Sequence, residues 1–353
     1  MTERTRVCMI LEGSYPYITG GVSAWVHDII EGLPDIDFCL LTLSPKADQP
    51  LRYKLSPNVV EHRDVLLSAA PDSSRLRPGK KVVDAVLEMH KAMFGRNQPD
   101  ILGLLAARRK PGDLDNGLLH DERAWNMIAS MNMRRNPAYA FSDYFWAWQS
   151  AHRMMFEALR AEAPRADIYH AISTGFAGLA ALSAKSRTGK PFLLTEHGLY
   201  HKEREIEIRK ADFVKGYQRD MWINIYNSIS AMCYRNADGI TALFEENRQK
   251  QLELGARPDR CVVIQNGIDV ERFSSVVRSP KPGFHVGLVG RIVPIKDVKT
   301  YIAVARIVLE KIPEAMFYAI GPTDEDQDYY DECVALVSDR KSTRLNSSHE
   351  SPS

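Results

Sequence analysis

Short apolar runs alternate with amphipathic stretches along most of this chain, and this alternation limits its fold more than any other feature. One apolar run covers residues 7–11 and the next covers 38–43, with an amphipathic stretch at 22–33 between them. A strand, a helix and a strand at this spacing form a βαβ unit, in which the two strands are parallel. The same alternation returns at 166–195, 238–265 and 284–337. The sequence therefore predicts the α/β class.

The length of 353 residues is enough for two domains of ordinary size. We predict a first domain at 1–273 with a helical insertion at about 70–150, a linker at 274–283, and the start of a second domain at 284–340. The second domain has only about half the elements of a Rossmann-like domain. Such a sheet exposes an apolar edge and apolar faces, so we expect poor solubility of the expressed chain.

The last residues, 341–353, are polar and rich in serine, without periodicity. They resemble translated sequencing-adapter read-through, so we interpret them as a non-native or disordered tail. The natural protein is expected to continue beyond about residue 339. Elsewhere, the spacing of apolar residues at 201–236 predicts one long helix.

The composition excludes several classes of protein. The net charge of +1 gives no general attraction to nucleic acid or to an anionic membrane. No run approaches the roughly 18 apolar residues of a membrane span, and the first residues have no apolar run of signal-peptide length. The five cysteines are not at metal-ligand spacing. We expect a cytoplasmic protein that binds no nucleic acid.

Candidate ligand-binding residues lie at two places after predicted strands. The apolar run 191–194 ends at Thr195, Glu196, His197 and Gly198, and in parallel sheets this end of a strand faces the ligand. Gly20 and Gly21 directly precede the first amphipathic helix. Their missing side chains let a ligand approach the backbone, and a helix N-terminus attracts anions. A plain turn before a helix is the alternative for the two glycines.

Three motifs in order carry a family resemblance. They are the paired glycines after the first strand, residues 263–273 (VIQNGIDVERF) and residues 290–297 (GRIVPIKD). Together they resemble the retaining GT-B glycosyltransferases of family four. The likeness is greatest to the PelF type, which acts in Pel exopolysaccharide synthesis. It rests on residues 12–17 (EGSYPY), 20–27 (GGVSAWVH), 195–198 (TEHG) and 202–205 (KERE).

The resemblance implies two Rossmann-like domains facing a crevice and a UDP-sugar donor, with UDP-glucose the expected one. It assigns catalytic roles to His197, Arg291 and Lys296. The residues that it assigns to donor binding are Gly20, Gly21, Glu196, Asn266, Gly290, Arg291 and Lys296. The acceptor implied is a growing polysaccharide, and the implied partners are polysaccharide synthase subunits of the inner membrane.

No metal or other cofactor is expected, because Arg291 and Lys296 supply the positive charge that the leaving diphosphate needs. His197 and His201 lie four residues apart but lack the glutamate of a zinc motif. Glu196 is the carboxylate nearest to the His197 motif, and we assign no general base. The leaving phosphate is expected to take the acceptor's proton.

Two other functions stay open at this point. Family members carry two glutamates that hold the nucleotide ribose and face the donor sugar, and nothing here matches that segment. The loss of two charge-assisted hydrogen bonds weakens binding by about 10²-fold or more. An inactive fragment or a binding subunit of a synthase complex is therefore one alternative, and a nucleotide-sugar epimerase is another.

Overall fold

The computed structural model describes residues 4–67, 80–94, 99–107, 122–135, 140–212, 214, 216–277 and 282–338. The chain divides into two units, Met1–Gly267 and Ile268–Ser353. Each unit is built on its own parallel sheet, so the predicted α/β class is confirmed. The predicted tail at 341–353 and part of the predicted linker, 278–281, lie outside the described residues.

The first unit contains a seven-stranded parallel sheet with the order β3-β2-β1-β4-β5-β6-β7. Its strands are β1 (Arg6–Glu12), β2 (Asp37–Ser44), β3 (Val59–Leu66), β4 (Ile168–Ala171), β5 (Phe192–Glu196), β6 (Gly239–Ala242) and β7 (Cys261–Val263). The strand order turns back after β3, so β1 lies beside both β2 and β4. Ligands of open α/β sheets bind at the carboxyl edge near such a reversal.

The helices of this unit follow the strands. They are α1 (Gly21–Gly32), α2 (Lys80–Phe94), α3 (Ile101–Ala107), α4 (Glu122–Arg135), α5 (Phe141–Arg160), α6 (Gly175–Thr188), α7 (Tyr200–Lys210), α8 (Gly216–Asn236) and α9 (Glu245–Glu253). Helices α2 to α4 lie within the predicted insertion, and α5 begins in it. Parts of the insertion, including 108–121, lie outside the described residues.

Both faces of the central strand β1 are covered, as expected for a parallel sheet. Alternate residues of a strand point to opposite faces. Cys8 and Ile10 belong to the larger apolar core, which α5, α6 and α8 help to build. Met9 belongs to the other core, with Val26 and Ile30 of α1. The four-residue spacing of these two side chains gives α1 one apolar stripe against the sheet.

The predicted single helix at 201–236 is wrong, because two helices, α7 and α8, share this range. Ala211 and Asp212 between them are not helical. The guanidinium of Arg219 donates to the Ala211 carbonyl at the end of α7, 3.1 Å away. Most of α7 is exposed and its charged residues pair within the helix, whereas α8 buries a long apolar stripe. The two segments therefore pack differently and do not continue one helix.

The second unit begins with the short helix α10 (Val270–Ser274). It then has two parallel strands, β8 (His285–Val289) and β9 (Met316–Ile320), with α11 (Val298–Lys311) and α12 (Gln327–Ser338). Val286 and Leu288 pack towards these helices. The side chains of Val289 and Ile320 remain 81% and 44% exposed. One face of this sheet is therefore uncovered in the part of the chain that the structure describes.

Candidate functional site

Gly20 and Gly21 lie where the loop after β1 enters α1. The backbone at Gly20 is extended, with φ 167° and ψ 175°, and any residue adopts this conformation. No described protein atom lies within 4 Å of the position that a Cβ would take at either glycine. Packing and backbone conformation therefore do not require glycine here, and the space above both residues is open.

Three side chains from different elements meet near this helix start. The ring centroid of Trp25, on α1, lies 4.8 Å from that of His197 in an edge contact. The same indole lies 6.2 Å from the ring of His170, the third residue of β4. His197 directly follows β5. The fold therefore brings the paired glycines' helix and the predicted catalytic histidine to one edge of the sheet.

The imidazole of His197 is half-buried and electrically neutral near pH 7. Burial lowers its pKa, because the charged ring loses hydration. Its Nε2 atom is buried and has no hydrogen-bond partner among the described residues. A buried ring nitrogen without a partner costs free energy, and a ligand hydroxyl would satisfy it.

His170 was not among the predicted site residues, although it stands beside His197. Its Nε2 atom lies 2.8 Å from the hydroxyl oxygen of Thr195, which in turn lies 2.6 Å from that of Thr241. Burial and the neighbouring His197 lower the pKa of His170 to about 4, so its ring is also neutral. The sequence offered one indication, since His170 lies near the end of a short apolar run.

The carboxylate of Glu196 is buried beneath the site. Its oxygens accept hydrogen bonds from Tyr234 at 2.5 Å, Gln251 at 3.0 Å, Thr174 at 3.1 Å and the backbone N–H of Tyr200 at 3.3 Å. Glu196 is 1% exposed and burial raises its pKa. A direct contact between Glu196 and the sugar donor stays a prediction, and the burial of Glu196 argues against it.

A second carboxylate, that of Glu12 at the end of β1, is held in the same way. It accepts from the hydroxyl of Tyr200 and from the backbone N–H groups of Phe176 and Ala177 at the start of α6. A carboxylate at a helix N-terminus is stabilised by the helix dipole. Tyr200 thus connects the partly buried carboxylate of Glu12 with the buried carboxylate of Glu196, and it lies three residues after His197.

The remaining predicted residue of the first unit is Asn266. It follows β7, the last strand of the sheet, and is exposed. Strand β6 separates β7 from β5, which carries His197. The structure therefore does not place Asn266 among the side chains that surround His197.

The other predicted residues lie in the second unit, at the carboxyl edge of its two strands. Gly290 follows β8, and its N–H donates to the carbonyl of Ile320 in β9. The aliphatic part of Lys296 lies alongside Gly290, 3.7 Å from the position of a Cβ there. Arg291 donates to both carboxylate oxygens of Glu325 at 2.6 Å. Lys296 has no carboxylate within ion-pair distance in the described residues.

No group of three or more histidine, cysteine, aspartate or glutamate side chains is arranged to hold a metal ion in the part of the chain that the structure describes. None of the helices described is both long enough and apolar enough to span a membrane.

Comparison with solved structures finds distant likenesses. HepE from Anabaena, solved with UDP and glucose, is 13% identical with a TM-score of 0.49, over 98% of this chain and 69% of that one. Sucrose-phosphate synthase from Thermosynechococcus elongatus is 14% identical with a TM-score of 0.49, over 98% and 70%. The lipopolysaccharide outer core galactosyltransferase WaaB, solved in its apo form, is 10% identical with a TM-score of 0.43, over 97% and 68%. At these TM-scores the likenesses carry no conclusion about this chain.

Comparison with sequences gives one family. No curated protein matches the chain. The model of the family described as "Domain of unknown function (DUF3492)" matches residues 5–259, which is more than half of the chain and nearly all of the first unit. The protein therefore belongs to the DUF3492 family.

Proposed function

We propose that the protein is a GT-B glycosyltransferase of the PelF type. It transfers a sugar from a UDP-sugar, with UDP-glucose as the donor, to a growing exopolysaccharide and retains the anomeric configuration. It works in the cytoplasm beside polysaccharide synthase subunits of the inner membrane. The observation that carries this proposal is the contact of His197 with Trp25. It joins the TEHG and GGVSAWVH motifs at one sheet edge, although the two residues in contact are 172 positions apart in the sequence.

The first unit is assigned to the sugar and to part of the diphosphate. The neutral imidazole of His197 presents a buried nitrogen that can hydrogen-bond a hydroxyl of the donor sugar. Gly20 and Gly21 leave open space at the start of α1, where backbone N–H groups attract an anion. A nucleotide-sugar carries a sugar and a phosphate close together, so it can use both features.

The second unit is assigned to the leaving group. When the glycosidic bond breaks, negative charge grows on the diphosphate, and fixed positive charge lowers that barrier. Arg291 offers a planar guanidinium that can bind two phosphate oxygens, and Lys296 offers a point charge. We therefore propose that these two cations replace a metal ion in the reaction.

The proton of the attacking hydroxyl goes to the leaving phosphate in this proposal. Glu12 and Glu196 end strands β1 and β5 at this edge of the sheet, and both carboxylates accept hydrogen bonds from protein groups. Their engagement leaves neither of them free to act as a base. Front-face attack by the acceptor, with the donor's own phosphate as the base, then gives retention.

Incubation with UDP-glucose and an exopolysaccharide oligomer tests the proposal. The expected result is release of UDP and a product whose new linkage keeps the donor's anomeric configuration by NMR, with the same rate in EDTA. If the donor sugar were instead inverted at one ring carbon and no sugar were transferred, the protein would be the epimerase. The same assay on the chain extended by the carboxyl-terminal segment of a related transferase separates an inactive fragment from a wrong assignment.

A further inference from the structure

Apart from the candidate site, a pocket lies at the amino edge of the seven-stranded sheet. Its volume is about 420 Å³, and the charged residues that line it are Arg4, Arg6, Asp37, Arg165, Asp167 and Lys190. These residues precede or begin strands β1, β2, β4 and β5, whereas His197 follows the opposite end of β5. The pocket is therefore separate from the candidate site.

The charges lining the pocket do not balance. Four of the six side chains are cations and two are carboxylates, which leaves a surplus of two positive charges. Both carboxylates already have partners. Asp167 accepts from Lys190 at 3.0 Å and from the backbone N–H of Arg6 at 3.1 Å. Asp37 pairs with Arg4 at 3.3 Å.

Two arginines, Arg6 and Arg165, carry this surplus of positive charge. Within the described ranges, the guanidinium groups of Arg6 and Arg165 have neither a carboxylate within ion-pair distance nor a hydrogen-bonded carbonyl. Arg4 differs, because it donates to the carbonyl of Asp35, just beyond the end of α1. This contact, together with the pair to Asp37, occupies Arg4, whereas Arg6 and Arg165 have no such partners in the same described residues.

The backbone around the pocket is fixed by the sheet. The N–H of Asp167 donates to the carbonyl of Arg6 at 2.8 Å, and the N–H of Asp37 donates to that of Thr5 at 3.0 Å. Arg6 and Asp37 are also paired in the register of β1 and β2. The starting points of Arg6, Asp37 and Asp167 are therefore held at constant separation, and Arg165 lies two residues before Asp167. Fixed starting points favour a preformed binding site.

We propose that this pocket binds a phosphate group that carries two negative charges. Arginine binds phosphate oxygens in pairs through its planar guanidinium, and Arg6 and Arg165 are the two side chains available for it. The surplus of two positive charges matches the charge of a phosphomonoester dianion. Such a group is found on soluble phosphorylated metabolites and on the lipid phosphatidic acid, and both sources present the same chemistry.

Titration with inorganic phosphate, followed by the amide NMR signals of the full chain, tests the site. Saturable shifts are expected at Arg6, Arg165 and Asp167, and Arg165→Gln should weaken phosphate binding about tenfold or more. Arg257→Gln is the matched control. Arg257 is an exposed arginine paired with Asp259, so this variant removes the same charge and should leave binding unchanged.

Sedimentation with vesicles distinguishes the two sources. Binding to phosphatidylcholine vesicles only when they contain phosphatidic acid, and its loss in Arg165→Gln, identifies a lipid headgroup. Phosphate binding without vesicle binding identifies a soluble ligand. Arg6→Gln repeats the test, with circular dichroism to verify folding. The proposal is overturned if phosphate binds Arg165→Gln and Arg257→Gln equally well, or if Arg291→Ala alone abolishes phosphate binding.

Discussion

The hydroxyl of Tyr200 donates a hydrogen bond to the carboxylate of Glu12, 188 positions earlier in the chain, with 2.7 Å between the two oxygens. The backbone N–H of the same tyrosine donates to Glu196. Tyr200 therefore ties the ends of β1 and β5 together just beyond His197. This connection positions the turn that carries the proposed sugar-binding histidine.

Tyr200→Phe should destabilise the protein. The substitution removes only the hydroxyl and leaves the partly buried Glu12 carboxylate short of one donor, which costs about 1–3 kcal/mol. Urea denaturation measures this change. Tyr226→Phe is the matched control. Tyr226 packs on Tyr200, and its hydroxyl has no hydrogen bond in the described part of the chain. An equal loss in both variants would contradict the role given to the Tyr200–Glu12 bond.

Gly21→Ala should preserve the fold and impair donor binding. Nothing within the described residues contacts a Cβ there, and alanine favours the helix by about 0.5–1 kcal/mol. Gly175→Ala is the contrasting variant, because Gly175 has φ +45° and a Cβ would lie 2.4 Å from Cζ of Tyr200. Thermal unfolding and UDP titration on both should show lost stability only in Gly175→Ala. Unchanged UDP affinity in Gly21→Ala would contradict the phosphate role of the paired glycines.

Glu325→Gln should strengthen the binding of UDP. Glu325 occupies the guanidinium of Arg291 and thereby competes with a diphosphate. Both side chains are partly exposed, so the ion pair contributes at most about 1 kcal/mol, or about fivefold in affinity. Glu332→Gln is the control, because Glu332 forms an exposed pair with Lys299 in the same unit. Weaker UDP binding in Glu325→Gln would show that Glu325 orients Arg291 and does not compete.

The stability of the first unit should fall as the pH drops from 6.5 to 4. Burial lowers the pKa of His152 from 6.5 to about 4, so in this range only the unfolded chain takes up the proton. The contribution of His152 to the free energy of unfolding is fully present above pH 6.5 and decreases by up to about 3 kcal/mol by pH 4.

The pH dependence can be assigned to His152 by comparison with His152→Gln. The raised pKa values of Glu12 and Glu196 act in the opposite sense, since their contribution is present at low pH and is lost as the pH rises. The unsubstituted protein and His152→Gln share these carboxylates. Urea denaturation should therefore show a flatter pH profile for His152→Gln, and identical slopes would contradict the assignment.

The sequence predicted the elements that have strong apolar patterns. The alternation of apolar and amphipathic stretches correctly predicted the buried strands β1 and β5. It also predicted the paired glycines at the start of α1 and the histidine after β5. Strand β3, with the sequence VVEHRDVL, was missed. It is an edge strand with mostly exposed or half-buried side chains, so it lacks an apolar run.

The environment of Glu196 could not be predicted from local pattern. A carboxylate directly after a buried strand is typical of a ligand-binding residue. Its actual partners Thr174, Tyr234 and Gln251 come from three other parts of the chain, and only the packed structure brings them together. Trp25 and His170 were missed as site residues for the same reason, because the contacts of Trp25 with His170 and His197 depend on the neighbouring positions of β1, β4 and β5.

Calorimetric titration of UDP-glucose tests most directly the claim that His197 and Arg291 serve one sugar donor. It compares the unsubstituted protein with His197→Ala and Arg291→Ala, in the 353-residue chain and in the chain extended by a relative's carboxyl-terminal segment. We predict one bound donor per chain and about a tenfold or greater loss of affinity in each variant. Equal affinity in all three proteins, or no binding even by the extended chain, would contradict the account.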